Sequence, residues 1–457
     1  CYRMEGASLE MLRNLLRREF TNLSYENILK IAEFSDGNAR IAFALAGAVD
    51  AGEELQRLRN SDLFDRLFKQ SHEHSDTLLE AAKAFSLLYS FDGEDTAENG
   101  ELSILANEAG LSVRDSLRAV SELQKRGLVQ SRGKWRAVLP HAIANELATR
   151  MLADCPADYW LQQFIPKCST RMRKSFIRRI GYLHDLSGAQ KIASALLALE
   201  PFSRPELHTS DLREEFRSLA TVCPADALRI LEIAAESAEL VACSNQRRSH
   251  YIDLLSQIAY WPEHFDKCAH LLVRFAIVEP EHHNDRPASR ALEQLFTIVL
   301  SGTLAGARQR LVVVRTLLND PETSQLGCEL VRAALKSNHF ASFRSGDFGA
   351  HKRTSGWRPE NPDQTKEWYQ TWFKILSDFG HSSRTTSDEI RNGFAENLRS
   401  LWHIKELRGD VAKLCRFFHA DKPFIDGWLG FKRSLYYDYR KGETDGRSDI
   451  EELEKDL

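Results

Sequence analysis

The sequence predicts an all-α fold in three parts: a helical domain over residues 1–75, a winged-helix domain with a small β-hairpin over 76–157, and a TPR- or HEAT-like array of α-helical repeats over 158–457. Three observations support this division. Apolar residues recur at helical spacing through most of the chain. Near residue 132, two short β-like runs flank an Arg-Gly turn. Beyond residue 158, helices of about 12 to 18 residues alternate with short polar turns.

The first domain is predicted from its apolar stripes. Leu9, Leu12 and Leu16 share one helix face, because residues three and four apart meet on the same side of a helix. A second stripe ends at the stop signal around Gly37. Further helices are expected over 39–49 and 55–68.

The second domain combines a helix-turn-helix with a hairpin. A helix is expected over 78–91, followed after a polar loop by a short helix and then by one that Ser112 caps and Gly127 ends. The β-like runs around Arg132-Gly133 follow, and a further helix starts at His141. This order of elements is typical of a winged helix.

The third part is predicted as stacked helix pairs, since each pair leaves an apolar face that only a neighbour can cover. One stretch, 341–364, is rich in Gly and Pro and breaks the helical pattern. Loops of this length inside a compact array are often functional. Because an aromatic residue beside arginines is typical of a binding hot spot, Arg353, Trp357 and Arg358 are predicted to contact a protein partner.

The composition excludes several classes of protein. The net charge of the 457 residues is −4, so a nucleic-acid site would have to be a local patch. No apolar run reaches the roughly 18 residues that span a bilayer, and the N-terminus lacks the pattern of a signal peptide. The eight cysteines are scattered without a C-x-x-C pair, which indicates a reducing compartment. We therefore expect a cytoplasmic protein with no membrane partner.

No motif for catalysis or metal binding is present. The chain lacks a P-loop, an H-E-x-x-H and a G-x-S-x-G motif, and the histidines at 72–74 and 282–283 lie in polar linkers. We interpret these histidines as solvated side chains. The chain is therefore expected to be neither an enzyme nor a metalloprotein.

Two basic stretches raise the question of an acidic protein partner, nucleic acid or nucleotide phosphates as a ligand. Arg171, Lys174 and Arg178 share one face of a predicted helix, with apolar residues on another. They are candidate partner-binding residues, although a solvated helix face is the simpler interpretation. The predicted recognition helix over 112–126 has only a modest surplus of positive charge, so it does not favour nucleic acid as a partner.

The order of these parts resembles the region that follows the nucleotide-binding core in STAND-class ATPases. Residues 31–40 resemble the lid, in which a Gly-x-Pro turn approaches the adenine; here Gly37 is present and Ala39 stands in the place of Pro. Leu139–Ile143 falls where such proteins place a histidine that touches the ADP phosphates, and His141 occupies that position without the Asp that usually follows. The resemblance implies that His141, Gly37 and Arg40 respond to the nucleotide.

The third part resembles the sensor repeats of bacterial antiviral STAND proteins of the Avs type. The stretches that carry this likeness are 255–279, 286–296, 301–303, 310–311 and the Gly356-Trp357-Arg358-Pro359 loop. The family's repeats bind a phage protein, and binding releases the ATPase to oligomerise and switch on an effector. The resemblance implies a phage-derived protein ligand, an NTPase core upstream of Cys1 that binds ADP or ATP with Mg²⁺, and a homo-oligomer on activation.

Two alternatives remain open on the sequence alone. The chain could belong to a STAND-related transcription regulator whose winged helix binds DNA. It could instead be a helical-repeat scaffold for protein interactions with no link to a nucleotide.

Overall fold

The computed structural model describes residues 7–35, 37–47, 64, 67–68, 77–236, 239–279, 286–338, 340, 348–381, 384–437 and 447–456. Most of the helix expected over 55–68 and both histidine clusters lie outside these residues. The described chain is predominantly helical with one small sheet, which confirms the predicted fold class. It divides into two compact units, Cys1–Leu199 with Glu214–Cys223, and Glu200–Arg213 with Pro224–Leu457. The domain boundaries at residues 75 and 157 stay a prediction.

The first unit begins with three helices that pack on one another, α1 (Leu9–Glu19), α2 (Tyr25–Phe34) and α3 (Ala39–Gly47). The side chains of Ser8 and Ser24 cap α1 and α2 by accepting hydrogen bonds from backbone N–H groups three residues later. Leu12 and Leu16 are fully buried, as the helical periodicity predicts, whereas Leu9, which the periodicity places on the same face, is exposed at the first position of α1.

A helix-turn-helix and a three-stranded antiparallel sheet follow. Their elements are α4 (Thr77–Ser86), β1 (Phe91–Asp92), α5 (Glu101–Glu108), α6 (Val113–Lys125), β2 (Val129–Arg132), β3 (Trp135–Val138) and α7 (His141–Ala153). The strand order is β1-β3-β2, and the β2–β3 hairpin pairs Val129 with Val138 and Arg132 with Trp135. The expectation of one helix over 78–91 is wrong at its end, because Phe91 pairs with Arg136 as part of β1.

The rest of the first unit is helical. A stretch of short helical turns, Ala157–Tyr159, Trp160–Phe164 and Ile165–Lys167, leads into α8 (Thr170–Ile180), α9 (Ser187–Leu197) and α10 (Ser210–Ala220), whose last residues belong to this unit. Trp160, Phe164 and Phe176 are buried. The Phe164 ring contacts the rings of both Trp160 and Phe176. They anchor α8 by its apolar face.

The second unit contains eleven described α-helices that lie wholly within it, and two short 3-10 helices, Pro205–Leu207 and Lys405–Leu407. The α-helices are α11 (Pro224–Glu236), α12 (Asn245–Ile258), α13 (Pro262–Ile277), α14 (Pro287–Leu295), α15 (Ala307–Asn319), α16 (Ser324–Leu335), α17 (Pro362–Phe379), α18 (Ser387–Trp402), α19 (Arg408–Asp421), α20 (Ile425–Tyr437) and α21 (Arg447–Asp456). Each even-numbered helix from α12 to α18 packs on the next even-numbered one, and each odd-numbered helix from α11 to α17 packs on the next odd-numbered one. This two-layer stacking is the arrangement of a helical-repeat array.

The Gly-rich loop is tied to this array by backbone pairing. Gly302 N–H donates to the Ser355 carbonyl at 2.9 Å, and Trp357 N–H donates to the Thr303 carbonyl at 2.7 Å. Gly356 lies between them with φ +103°, and a Cβ at this position would come within 2.7 Å of the Thr303 nitrogen. Only glycine fits such a position, since it tolerates both the positive φ and the close backbone approach.

Two further properties bear on the chemistry of the chain. No helix among the described residues is long and apolar enough to cross a membrane. Cys268, Cys328 and Cys415 are buried, and the cysteines in the described part of the chain form no disulfide.

Candidate functional site

His141 is the first residue of α7. Pro140 precedes it as the N-cap with φ −65° and ψ 159°, and no side chain caps the helix start. The first N–H groups of a helix have no partner within the helix and carry a partial positive charge. The first turn of α7 contains no acidic residue that would balance this charge. The exposed His141 side chain therefore lies at a local positive pole.

Two tyrosines hold the His141 ring. The Tyr89 hydroxyl is hydrogen-bonded to His141 Nε2 at 3.1 Å, and the two rings stack with centroids 4.8 Å apart. Tyr182, which follows α8, lies nearly parallel to the imidazole, with 6.5 Å between centroids and 4° between planes. The imidazole is thereby fixed in position by side chains from two other segments.

Two arginines of α8 place positive charge beside this stack. The guanidinium carbon of Arg178 lies 3.7 Å from the Tyr89 ring centroid, and that of Arg179 lies 5.6 Å from it. Arg178 is exposed, whereas Arg179 is fully buried and donates to Asn145 Oδ1 at 2.6 Å. Within the described chain the Nε of Arg179 has no hydrogen-bond partner. Burial lowers the pKa of Arg179 to about 10, so it stays charged at neutral pH.

The same surroundings keep His141 neutral. Desolvation of its stacked ring, followed by the positive charges of Arg179 and Arg178, lowers the pKa of His141 below its usual value. At pH 7 the imidazole therefore has one N–H and one lone pair. We call Tyr89, His141, Arg178, Arg179 and Tyr182 the His141 cluster; its charge is positive, and it offers hydrogen-bond donors suited to an oxyanion.

The other two residues predicted to respond to nucleotide lie elsewhere in the first unit. Gly37 has φ +80°, and its carbonyl accepts a hydrogen bond from Ala7 N–H at 2.8 Å. Arg40 is exposed, and its Cγ lies 3.7 Å from the position that a Cβ on Gly127 would occupy. No hydrogen bond, ion pair or ring contact among the described residues joins either of them to His141. Their nucleotide role stays a prediction.

The predicted basic face of α8 does not form one continuous patch. Arg171 is bound inside the unit, where it forms an ion pair with Glu101 and lies 4.2 Å from the Trp135 ring centroid. Lys174 is half-buried. Arg178 belongs to the His141 cluster. The structure thus places Arg178, which was predicted to bind a partner, next to His141, which was predicted to respond to the nucleotide.

The residues predicted to contact a partner in the second unit are mostly engaged within it. Trp357 is half-buried and stacks on Trp368 with centroids 5.3 Å apart. Arg353 donates to the Gln257 carbonyl at 2.7 Å. Arg358 is exposed. A partner contact through this loop would therefore use the exposed Arg358 rather than the face of Trp357. Partner binding by Arg353, Trp357 and Arg358 stays a prediction.

Four of the seven basic side chains over residues 113–138, from α6 to the end of the hairpin, form ion pairs with acidic neighbours. The ion pairs are Arg118–Asp115, Arg126–Glu122, Lys134–Asp92 and Arg136–Glu94, at 2.7 to 3.3 Å. Arg126 also donates to the Leu67 carbonyl at 3.0 Å. These ion pairs reduce the positive charge that this surface can offer to phosphates.

Sequence reasoning missed Tyr89, Arg179 and Tyr182 as members of the site. The only local signal is that Arg179 lies three residues after Phe176, on the apolar face of α8. Tyr89 and Tyr182 lie in turns outside the helices, and their contacts with His141 join residues about 40 to 50 positions apart. No group of three or more histidines, cysteines or carboxylates in the described chain is placed to hold a metal ion.

A scan against models of protein families found no match, and neither did a search of curated proteins. Among solved structures, a match is the crystal structure of a Signal Transduction ATPase with Numerous Domains (STAND) protein with a tetratricopeptide repeat sensor from Pyrococcus horikoshii. The alignment has 12% identity, covers 98% of this chain and 72% of that chain, and superposes with a TM-score of 0.21. Because a TM-score this low does not establish a shared arrangement of helices, function has to be argued from the residues themselves.

Proposed function

We propose that the chain is the regulatory and ligand-sensing region of a cytoplasmic STAND-class NTPase in bacterial antiviral defence. In this proposal the His141 cluster responds to the nucleotide held by an upstream NTPase core. The helical array of the second unit binds a protein trigger of phage origin. The chain itself performs no catalysis; ATP hydrolysis with Mg²⁺ belongs to the core.

The observation that carries the proposal is the position of His141. A neutral imidazole at an uncapped helix start, beside Arg178 and the buried Arg179, suits a terminal phosphate. If the Tyr89 hydroxyl donates to Nε2, the imidazole proton lies on Nδ1 and can be donated to a phosphate oxygen. The family resemblance assigns the same contact to a histidine at this point of the chain.

The segment from α4 to β3 supports the proposed order of parts. A helix, a short strand, two helices and a hairpin follow one another, with β3 in the middle of the sheet. We infer that this segment is a winged helix and that His141 directly follows its last strand. The stacked helices of the second unit then supply the extended surface on which repeat proteins bind their ligands.

The regulation is a linkage between two binding events. A trigger shifts the balance between a resting and an active conformation only by the difference in its affinity for the two. A bound ADP that the His141 cluster holds in the resting conformation opposes that shift, and the two ligands weaken each other's binding by the same factor. The active conformation then forms the homo-oligomer that switches on the effector.

The alternative of a DNA-binding winged helix has less support. Four of the seven arginines and lysines over residues 113–138 form ion pairs with carboxylates of the same unit. A scaffold without a nucleotide link would give no functional reason for the position and the neutral state of His141.

The test replaces His141 in the protein that also carries the NTPase core. His141→Ala should increase oligomerisation in the absence of a trigger, measured by analytical ultracentrifugation with ADP present. His270→Ala is the matched control, because it removes an exposed imidazole from α13 in the other unit. A folded His141→Ala variant that stays in the resting state would refute the regulatory role, and the scaffold alternative would then be favoured.

A further inference from the structure

Helix α8 holds Tyr89 firmly in its place beside His141. Tyr89 lies in the turn between α4 and β1, where its N–H donates to the Ser175 carbonyl at 3.1 Å and the Ser90 N–H donates to Ser175 Oγ at 2.9 Å. Arg178, about one turn further along α8, places its guanidinium carbon 3.7 Å from the centroid of the Tyr89 ring. Both the backbone and the ring of Tyr89 are therefore fixed, and its hydroxyl lies 3.1 Å from His141 Nε2.

The hydrogen bond between Tyr89 and His141 can run in either of two directions. If the hydroxyl donates to a bare Nε2, the proton of the neutral imidazole lies on Nδ1. If Nε2–H donates to the phenol oxygen instead, Nδ1 has a lone pair and no proton. The direction therefore decides whether Nδ1 can donate a hydrogen bond to a ligand or can only accept one.

The chemistry of the two side chains favours donation by Tyr89. The lone pairs of a phenol oxygen are delocalised into the ring, which weakens that oxygen as an acceptor, whereas the bare nitrogen of an imidazole is a strong acceptor. The guanidinium of Arg178 adds to this preference, because a cation over the face of the ring draws electron density away from the hydroxyl. Among the described residues the Tyr89 hydroxyl has no other hydrogen-bond partner, so no described group competes for its proton.

The surroundings of Nδ1 are suited to an N–H group. Nδ1 has no hydrogen-bond partner in the described part of the chain, and the His141 side chain is exposed. The uncapped start of α7 and the charges of Arg178 and Arg179 all favour an oxyanion here. A lone pair on Nδ1 would be the one feature of the His141 cluster that repels such a ligand.

We propose that Tyr89 is a positioning residue that holds His141 in the Nδ1–H tautomer, so that the imidazole presents a hydrogen-bond donor to its ligand. The inference deepens the proposed function and rests on it for the identity of that ligand, a nucleotide phosphate. It restricts the site to ligands that offer an acceptor. Since free histidine in water favours the Nε2–H tautomer, loss of the Tyr89 hydroxyl returns the ring towards the form that opposes an oxyanion.

The test is nitrogen NMR of the full chain with ¹⁵N-labelled histidine rings at pH 8, where His141 is neutral because its pKa is lowered. The chemical shift of each ring nitrogen reports whether that nitrogen carries a proton. Among the 15 histidines, the signals of His141 are those missing from His141→Ala. We expect the shift of an N–H nitrogen at Nδ1 and that of a bare nitrogen at Nε2. An Nε2–H tautomer as the main form in the unmodified chain would overturn the proposal.

Tyr89→Phe keeps the stacked ring and removes only the hydroxyl. Loss of one hydrogen bond between neutral groups should shift the ratio of the two tautomers about fivefold towards Nε2–H. Tyr182→Phe is the matched control, because Tyr182 also lies parallel to the imidazole but its hydroxyl forms no described hydrogen bond with it. This control should leave the ratio unchanged. A ratio that is unchanged in Tyr89→Phe, or that changes equally in both variants, would overturn the role of the Tyr89 hydroxyl.

A second readout connects the tautomer to the ligand. In the protein that carries the NTPase core, Tyr89→Phe should release ADP about fivefold faster than Tyr182→Phe, because the same hydrogen bond is lost. Equal release from the two variants would overturn the positioning role of Tyr89 towards the nucleotide. Since the NMR measurement needs neither the core nor a nucleotide, its failure would refute the tautomer alone and leave the His141→Ala test of the proposed function unaffected.

Discussion

His208 should make the second unit sensitive to acid. This fully buried imidazole has its Nε2 3.1 and 3.2 Å from the carbonyl oxygens of Pro201 and Phe202, and its Nδ1 2.8 Å from the Tyr251 hydroxyl. Because Nε2 lies beside two carbonyl oxygens, which can only accept, the neutral ring carries its proton there. The Tyr251 hydroxyl, which is 2.8 Å from Nδ1, also lies 3.0 Å from the Pro205 carbonyl oxygen. Burial is the main cause that lowers the pKa of His208, to about 4, and the positive charge of Arg213 lowers it further. The two carbonyls and Glu206 raise the pKa by smaller amounts.

The size of the effect follows from the difference between the folded and unfolded pKa values. The unfolded imidazole has a pKa of 6.5. Between pH 6.5 and pH 4 the unfolded state therefore binds a proton that the folded state does not bind. Each pH unit in this window removes about 1.4 kcal/mol from the free energy of unfolding. His208 therefore leaves the free energy of unfolding unchanged above pH 6.5, and lowers it by about 2 kcal/mol at pH 5 and by about 3 kcal/mol near pH 4.

The assay is urea unfolding followed by tryptophan fluorescence between pH 7.5 and pH 4. Six of the eight tryptophans lie in the second unit, so the signal reports mainly on that unit. His208→Gln keeps an amide donor and acceptor without a titration in this range, and it should flatten the pH slope by about 2 kcal/mol between pH 7 and pH 5. The exposed His270→Ala variant should keep the original slope. Identical slopes for His208→Gln and the unmodified chain would refute the reasoning.

Two further substitutions test the packing of the second unit and the hairpin. Gly356→Ala should lower the free energy of unfolding by about 3 kcal/mol or more, because φ +103° and the Thr303 backbone at 2.7 Å both oppose a Cβ. Its matched control is Gly133→Ala, at a position with φ +57° and open space around it. This control should lower the free energy of unfolding by only about 1 kcal/mol. Arg310→Met leaves three backbone carbonyls without their donor, at about 1–3 kcal/mol each, partly offset by removal of a buried charge. We expect a net loss of about 3 kcal/mol in urea unfolding, against less than about 0.5 kcal/mol for the exposed Arg358→Met; an equal effect of either matched pair would contradict the structural reasons given.

Local signals in the sequence predicted the parts of the fold that depend on local physics. Ser112 accepts from Asp115 N–H at the start of α6, as its position before an amphipathic run predicts. Gly127 and Gly133 both have positive φ, at the helix end and the hairpin turn where the sequence places them. Each of these features is decided by the conformational preference of one or two residues.

Contacts between residues far apart in the chain could not be predicted from the sequence. The strand β1 is two residues long and exists only because β3, more than 40 residues later, pairs with it. Trp357 combines an aromatic ring with neighbouring arginines, which predicts an exposed hot spot, yet its ring is stacked on Trp368. His141 was found through the family resemblance, whereas its partners Tyr89 and Tyr182 depend on how the turns around α8 meet α7. Periodicity predicts which face of a helix is buried, but not which side chains from other segments meet there.

The release of ADP from the protein that carries the NTPase core tests the central claim most directly. A fluorescent ADP analogue is loaded, and its dissociation is followed by stopped-flow mixing with excess unlabelled ADP. Losing one hydrogen bond to a phosphate, worth about 1.5–3 kcal/mol, predicts that His141→Ala releases ADP at least about tenfold faster than either the unmodified protein or His270→Ala. Equal release rates for all three proteins would contradict a nucleotide-sensing role for His141.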